Sequence, residues 1–349
     1  MNNLVATRES FGEELAKIEN ENVVVLDADV APSTTTSKFK QAYPERFIEC
    51  GIAEADMIGT AAGLATCGKI PVASTFAAFA TARCYGQIRA SVAYPNLNVK
   101  IVGTHSGITV GEDGATHQML EDINLMRGLP NMIVLNPADD ISTRALVNQM
   151  INIEGPVYMR LSRRKTEVIY NNFDEIFIDG NKISERGDFL KSVESSSNKN
   201  TEGEDDTFSF DNEKIFKIGK GIQIGDGKDC TIFACGDVLQ EALKAKKILA
   251  EKGINARVCD MYSIKPIDKE LIIRCTEETS QLFSLEDHSI IGGLGSAISE
   301  VLTDEHPARL VRLGVNDRFG QSGTADALLD YFNLTGEKVS TIIYNIFNK

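Results

Sequence analysis

What the sequence lacks excludes several classes of protein. It has no excess of positive charge: 36 Lys and Arg stand against 50 Asp and Glu, a net charge of −14. That balance argues against non-specific binding to nucleic acid or to an anionic membrane surface. It leaves room for an anionic small molecule, because a few local Arg and His override the global sign. It has no apolar run of bilayer-spanning length, and its start, Met1-Asn-Asn-Leu-Val-Ala-Thr-Arg8, lacks the apolar core of a signal peptide. Its seven Cys show no CxxC or paired spacing; the closest two, Cys230 and Cys235, lie in an apolar, strand-like run. We therefore expect buried reduced thiols in a cytoplasmic protein. No short-period repeat is visible.

What is present fits a soluble α/β protein. At 349 residues, 42% hydrophobic and 25% charged, the chain can fill two cores. Strand-like runs at Val23–Asp27, Ile70–Thr75, Val99–Gly103, Met132–Leu135 and Val157–Leu161 alternate with helical spacing at Arg8–Ile18, 53–66, 78–92, Glu121–Met126 and 138–153. Residues 180–214 break the pattern, and Ser192–Thr207 is polar and acidic, which reads as an insertion or linker. The alternation then resumes with strands at Cys230–Cys235, Ala256–Asp260, Gln281–Leu285 and Arg309–Leu313, and helices at 237–252, 268–277 and 293–303. This predicts two doubly wound, mostly parallel α/β units, 1–170 and 220–349, joined by 171–219.

Two segments carry chemistry. Glu54 opens a run in which residues 55–65 hold one further charge, Asp56, among Ala, Gly, Thr, Met, Ile and Leu. A carboxylate beside such a surface is partly stripped of water and suited to trading a proton. The plainer account is an acid in the first turn of a helix, favoured by the helix dipole. The second segment, Thr104–His117, packs two of the chain's four His, two acids and three Gly into fourteen residues after a strand. Loops at the C-terminal ends of parallel strands are where α/β folds place ligands. Such a loop also serves as a plain Gly-rich surface connection. His105 and His117 lack metal-ligand spacing.

Gly51-Ile-Ala-Glu-Ala-Asp-Met-Ile-Gly59 followed by Thr104-His-Ser-Gly-Ile-Thr-Val-Gly-Glu-Asp-Gly-Ala-Thr-His-Gln118 resembles the pyrimidine-binding domain of a thiamine-diphosphate-dependent transketolase. The resemblance includes Ala6–Arg8, Asp27–Ser33, Ser74–Phe79, Asn136–Asp139 and Leu161–Arg163. Ser263–Asp268 and Glu286–Gly295 resemble the family's C-terminal domain. It implies that Glu54 hydrogen-bonds N1′ of the cofactor's aminopyrimidine and exchanges a proton with it. Phe79 would stack on that ring, with Phe76 as a nearby wall. His105, as a catalytic residue, and Asp113 would bind sugar hydroxyls. Arg8, Ser33, His117 and Arg163 would hold the substrate phosphate, as two guanidiniums and an imidazole suit a dianion. Asp29, near Ser33, is a further cofactor candidate. The chain departs from the family in having Ala82 where a further aromatic is usual; Tyr85 is the residue available to compensate.

The family also needs a Gly-Asp-Gly…Asn motif for diphosphate and divalent metal. Gly225-Asp-Gly227 with Asn255 has that form, but both read as turns flanking strands. Gly293-Leu-Gly295 reads as a strand-to-helix turn rather than a dinucleotide fingerprint. The resemblance therefore implies the C-terminal subunit of a split transketolase. An N-terminal transketolase subunit would supply the Mg2+ and diphosphate ligands, with two copies of each chain and sugar phosphates as substrates. Other implications are a 1-deoxyxylulose-5-phosphate synthase, which tends to carry Arg at the place of His105, and a 2-oxo-acid dehydrogenase beta subunit, which lacks the 104–117 loop. A catalytically silent assembly partner is opposed by the intact Glu54, His105, Asp113, His117 and Arg163.

Overall fold

The computed structural model describes residues 4–170, 176–183 and 215–348. The first half contributes strands β1 (Leu4–Ala6), β2 (Val23–Asp27), β3 (Phe47–Glu49), β4 (Ile70–Phe76), β5 (Lys100–Thr104), β6 (Ile133–Leu135), β7 (Val157–Arg160) and β8 (Lys165–Glu167). The second contributes β9 (Ile176–Ile178), β10 (Asn181–Ile183), β11 (Ile222–Ile224), β12 (Cys230–Ala234), β13 (Ala256–Asp260), β14 (Ser263–Lys265), β15 (Gln281–Ser289) and β16 (Leu310–Val315). Every residue of β2, β5, β12 and β13 is buried. Such two-sided burial is why β2 and β12 read as nearly continuous apolar runs rather than alternating ones.

Two seven-stranded sheets result, plus a short antiparallel pair of β1 and β8. The first sheet runs β14-β6-β7-β5-β4-β2-β3 and is parallel apart from β14. The second runs β10-β9-β11-β13-β12-β15-β16, parallel from β13 to β16 and antiparallel on its other side. The expected α/β architecture is thus present in both halves. β14 belongs to the second half in sequence yet closes the edge of the first sheet, with Ser263 opposite Leu135. One apolar cluster runs through both halves, from Phe11 and Val72 through Leu146, Phe216 and Tyr262 to Phe283 and Ile343.

Several expectations need correction. The 78–92 helix is broken into two wide turns, Ala78–Arg83 and Ile88–Ala93, around a short α-helical piece, Tyr85–Gln87. Within the stretch expected as a linker, 171–219, the described residues Ile176–Ile178 and Asn181–Ile183 pair as the hairpin of β9 and β10. The acidic stretch Ser192–Thr207 lies outside the described residues. Not all thiols are buried: Cys67 is exposed and Cys50 half-buried, and all seven are free. Folding also brings Cys259 and Cys275 to 3.7 Å between sulfurs, a pairing without a spacing signature.

The turn readings hold. Gly225, with φ +79°, ends β11, and Asn255 is tied by its N–H to Asp229 at 2.6 Å. Gly293 and Gly295 lead from β15 into the helix Leu294–Asp304, whose first N–H groups donate to the buried Glu286 carboxylate at 2.7 and 2.9 Å.

Candidate active site

Because β2, β4, β5 and β7 are parallel neighbours, their C-terminal ends share one edge of the first sheet. The segments leaving that edge carry Asp29 and Ser33, Phe76 and Phe79, His105, and Arg163. This is the edge where open α/β sheets place ligands. Glu54 reaches it from β3 by way of Gly51, which has φ +63°.

The helix Glu54–Thr66 buries Glu54, Met57, Ile58, Ala61 and Ala62. That spacing is one helical face, so Glu54 lies on the buried stripe rather than on the solvent side. It is 7% exposed. Its Oε1 accepts a hydrogen bond from Nη1 of Arg83 at 3.0 Å, and the same guanidinium lies 4.2 Å over the centre of the Phe79 ring. Phe79 and Arg83 share a wide turn, a form of helix often found at functional sites. Sequence reading missed Arg83. Its signal was the spacing from Phe79, four residues, which places two helical side chains together.

The aromatic wall is continuous. Phe76 stacks with Phe79 at 5.7 Å between centroids and 16° between planes. Phe76 also stacks on His105 at 3.9 Å and 25°. His117 meets Phe79 edge-on at 5.3 Å. His105 is 4% exposed and follows β5 in a left-handed conformation, φ +53°. Its Nδ1 is 2.9 Å from the Thr104 hydroxyl. Burial pushes its imidazole down to about 3, with Arg8, Arg163 and His117 adding to the effect. His105 is thus a neutral imidazole at physiological pH, able to donate from one nitrogen and accept at the other.

The cationic side is built from both ends of the first half. Arg8 donates to the carbonyl of Ser33, and its Nε is buried without a partner. Burial lowers the Arg8 pKa, with Glu9 opposing and Arg163 adding. Arg163 donates to the carbonyl of Val110 at 2.8 Å and lies 3.5 Å from Asp113 and 3.7 Å from Glu112. Asp113 therefore sits against the cation rather than alone in the loop. Ala82 is exposed, and Tyr85 is half-buried against the core. Asp29, exposed and left-handed at φ +62°, is bound through its N–H to Glu49 at 2.8 Å. That bond ties it to the β2–β3 end of the edge rather than to the aromatic wall.

Among the described residues, no group of three or more His, Cys, Asp and Glu is arranged to hold a metal ion, and no helix is long and apolar enough to cross a membrane.

The chain matches two family profiles, "Transketolase, pyrimidine binding domain" over residues 3–168 and "Transketolase, C-terminal domain" over residues 219–339. It is 45% identical to a protein of Methanocaldococcus jannaschii provisionally named a transketolase C-terminal section, over 98% of this chain and 96% of that one. It is 38% identical to the 6-deoxy-6-sulfo-D-fructose transketolase subunit SqwH of a Clostridium species, over 92% of this chain and 87% of that one. A solved structure described as a split gene transketolase, inactive beta4 tetramer, superposes with a TM-score of 0.80 at 44% identity, covering 98% of both chains. The chain belongs to the transketolase family and corresponds to the section that split-gene members carry as a separate C-terminal subunit.

Proposed function

We propose that this chain, in the cytoplasm, works with an N-terminal transketolase subunit to move a two-carbon ketol unit from a ketose phosphate to an aldose phosphate. The observation that carries the reading is the assembly of Glu54, Phe76, Phe79, His105, His117, Arg8 and Arg163 at one sheet edge.

Transketolases depend on thiamine diphosphate, and the residues fit its flat ring. Arg83 shows how: a planar, hydrogen-bonding group already lies over Phe79 and donates to Glu54. An aminopyrimidine can make the same two contacts. When bound, the cofactor supplies the nucleophilic carbon and the electron sink for breaking a ketose carbon–carbon bond. Phe79, with Phe76 behind it, would seat the ring, and Glu54 would hold or return a proton at the ring nitrogen. Neutral His105 would orient the sugar hydroxyls, joined by Asp113 once Arg163 turns to the substrate. The Arg8 Nε lacks an acceptor in a buried position, a costly state that a phosphate oxygen relieves. Arg163, His117 and Ser33 would complete that anion site. Asp29 would face the cofactor from the β2 end.

The diphosphate and Mg2+ ligands are assigned to the partner chain, in a complex with two copies of each. Ile52, two residues before Glu54, is 77% exposed, as an edge awaiting another chain would be. The sugar pair is left open, since SqwH by its name acts on a sulfosugar. The test is reconstitution. This chain, the partner chain, thiamine diphosphate and Mg2+ are mixed with xylulose 5-phosphate and ribose 5-phosphate, then with other ketose phosphates and sulfosugars as donors. Ketol transfer by the pair and none by either chain alone is expected. Full transfer by this chain alone would overturn the split-site reading.

A further inference from the structure

The second half of the chain reaches the site through Asp287. This residue lies in β15 and is 2% exposed. Its Oδ1 accepts the Ile108 N–H at 2.9 Å. Its Oδ2 accepts the Thr109 hydroxyl at 3.3 Å and lies 3.5 Å from the Thr109 nitrogen. Its main-chain carbonyl is held in turn by Nη2 of Arg160 at 2.6 Å, and Nε of Arg160 donates to Asp122 at 2.9 Å. Both of those partners are fully buried, so the carboxylate rests on a fixed base.

The loop it grips is the one that carries His105. A side chain at Gly107 would put its Cβ 1.9 Å from Oδ2 of Asp287. The backbone therefore lies directly on the carboxylate, and residue 107 must be Gly, as its φ of +73° also requires. Two residues earlier, His105 is left-handed at φ +53°. A non-glycine residue holds that conformation only where its surroundings fix it. The surroundings here are few and specific. Ser106 N–H and hydroxyl donate to the Leu161 carbonyl at 3.2 and 2.9 Å, Gly107 N–H donates to Met119 at 3.0 Å, and Asp287 takes the next two residues. Gln118 adds a clasp between the Ile108 and Gly111 carbonyls and that of Gln321.

We propose that Asp287 is a positioning residue for His105: from the second sheet it fixes the 107–109 turn and so keeps the imidazole stacked on Phe76 and aimed into the site. This gives the C-terminal half a task in the reaction without any contact to substrate. It rests on the assignment of His105 to sugar hydroxyls.

The test has two readouts. In this chain alone, the His105 ring resonances are assigned by comparison with His105→Gln and followed by 1H–15N NMR in Asp287→Ala, Asp287→Asn and Thr109→Val. We expect them to move in Asp287→Ala and to move less in Asp287→Asn, which keeps the acceptor for Ile108. In the reconstituted pair, Asp287→Ala should lower kcat/KM for the ketose donor by about 10²-fold, the cost of misplacing a catalytic group by an ångström. Asp287→Asn should recover part of that, and thiamine diphosphate affinity should stay within about twofold. A folded Asp287→Ala chain with unmoved His105 resonances would overturn the proposal. If Asp287→Ala fails to fold, unmoved resonances in both other variants would overturn it. Moved resonances in a pair whose wild type shows no ketol transfer would uphold the positioning and remove the transketolase reading instead.

Discussion

Arg83 pairs with Glu54: the guanidinium donates to the carboxylate at 3.0 Å while its central carbon lies 4.2 Å over the centre of the Phe79 ring. The Arg83 side chain is 56% exposed and that of Glu54 9%, so the pair joins a solvent-facing cation to a fixed acid. A flat ring that stacks on Phe79 must displace Arg83. Displacement breaks one half-exposed ion pair, worth about 0.2–1 kcal/mol, and one cation–π interaction, worth about 0.5–1 kcal/mol. Arg83→Ala should therefore tighten thiamine diphosphate binding to the reconstituted pair by about 3–30-fold. Isothermal titration calorimetry reads this directly, and weaker binding would show that Arg83 helps to hold the ring.

His105 should remain neutral across the physiological range. Its folded value is pushed down to about 3, chiefly by burial, from about 6.5 in an unfolded chain. The unfolded state thus binds the extra proton first. The resulting stability is complete above about pH 6.5 and is lost as pH falls toward 3. His105→Gln should lose less stability than wild type between pH 6.5 and 4 in urea melts. A His105 resonance that titrates near pH 6.5 in the folded chain would contradict this.

The two halves are also joined through Tyr170, whose hydroxyl donates to Asp260 at 2.5 Å inside the core. Burial pushes the Asp260 carboxyl up to about 8. The sign is opposite to that of His105: this contribution is whole below about pH 4 and is lost as pH rises through 8. Asp260→Asn should flatten the decline in melting temperature between about pH 4 and 8. Tyr170→Phe should destabilise by about 1–3 kcal/mol, because it leaves a buried carboxyl without its donor. A Tyr170→Phe chain as stable as wild type would deny the contact its role.

Gly293→Ala tests the turn before the helix Leu294–Asp304. A Cβ there would stand 1.9 Å from Oε2 of Glu286 and 2.6 Å from His288, so the loss should be about 1–3 kcal/mol by overpacking. Chemical denaturation measures it, and a neutral substitution would mean that the Glu286 carboxylate is free to move.

Much of the fold was legible because buried parallel strands announce themselves. Val23–Leu26 is an unbroken apolar run, Cys230–Ala234 is interrupted only by Thr231, and helix 54–66 carries its burial at helical spacing. What escaped was short or non-local. β14 is three residues long and gains its identity only by pairing with β6. The closing helix Gly336–Phe347 buries Gly336, Val339, Ser340 and Ile343, a helical stripe diluted by a Gly and a Ser and so easily passed over. Of the site, the loop 104–117 and Glu54 stood out because polar chemistry was crowded against Gly or apolar residues. Arg83 and Asp287 did not. An Arg in a helix reads as surface, and Asp287 acts across 178 to 179 residues of chain, a distance no local pattern spans.

The most direct measurement is Glu54→Gln in this chain, assayed for ketol transfer in the reconstituted pair with thiamine diphosphate affinity measured in parallel. Removing an acid–base carboxylate should lower kcat by about 10²–10⁴-fold while the cofactor still binds. Undiminished transfer by a pair carrying Glu54→Gln would contradict the account.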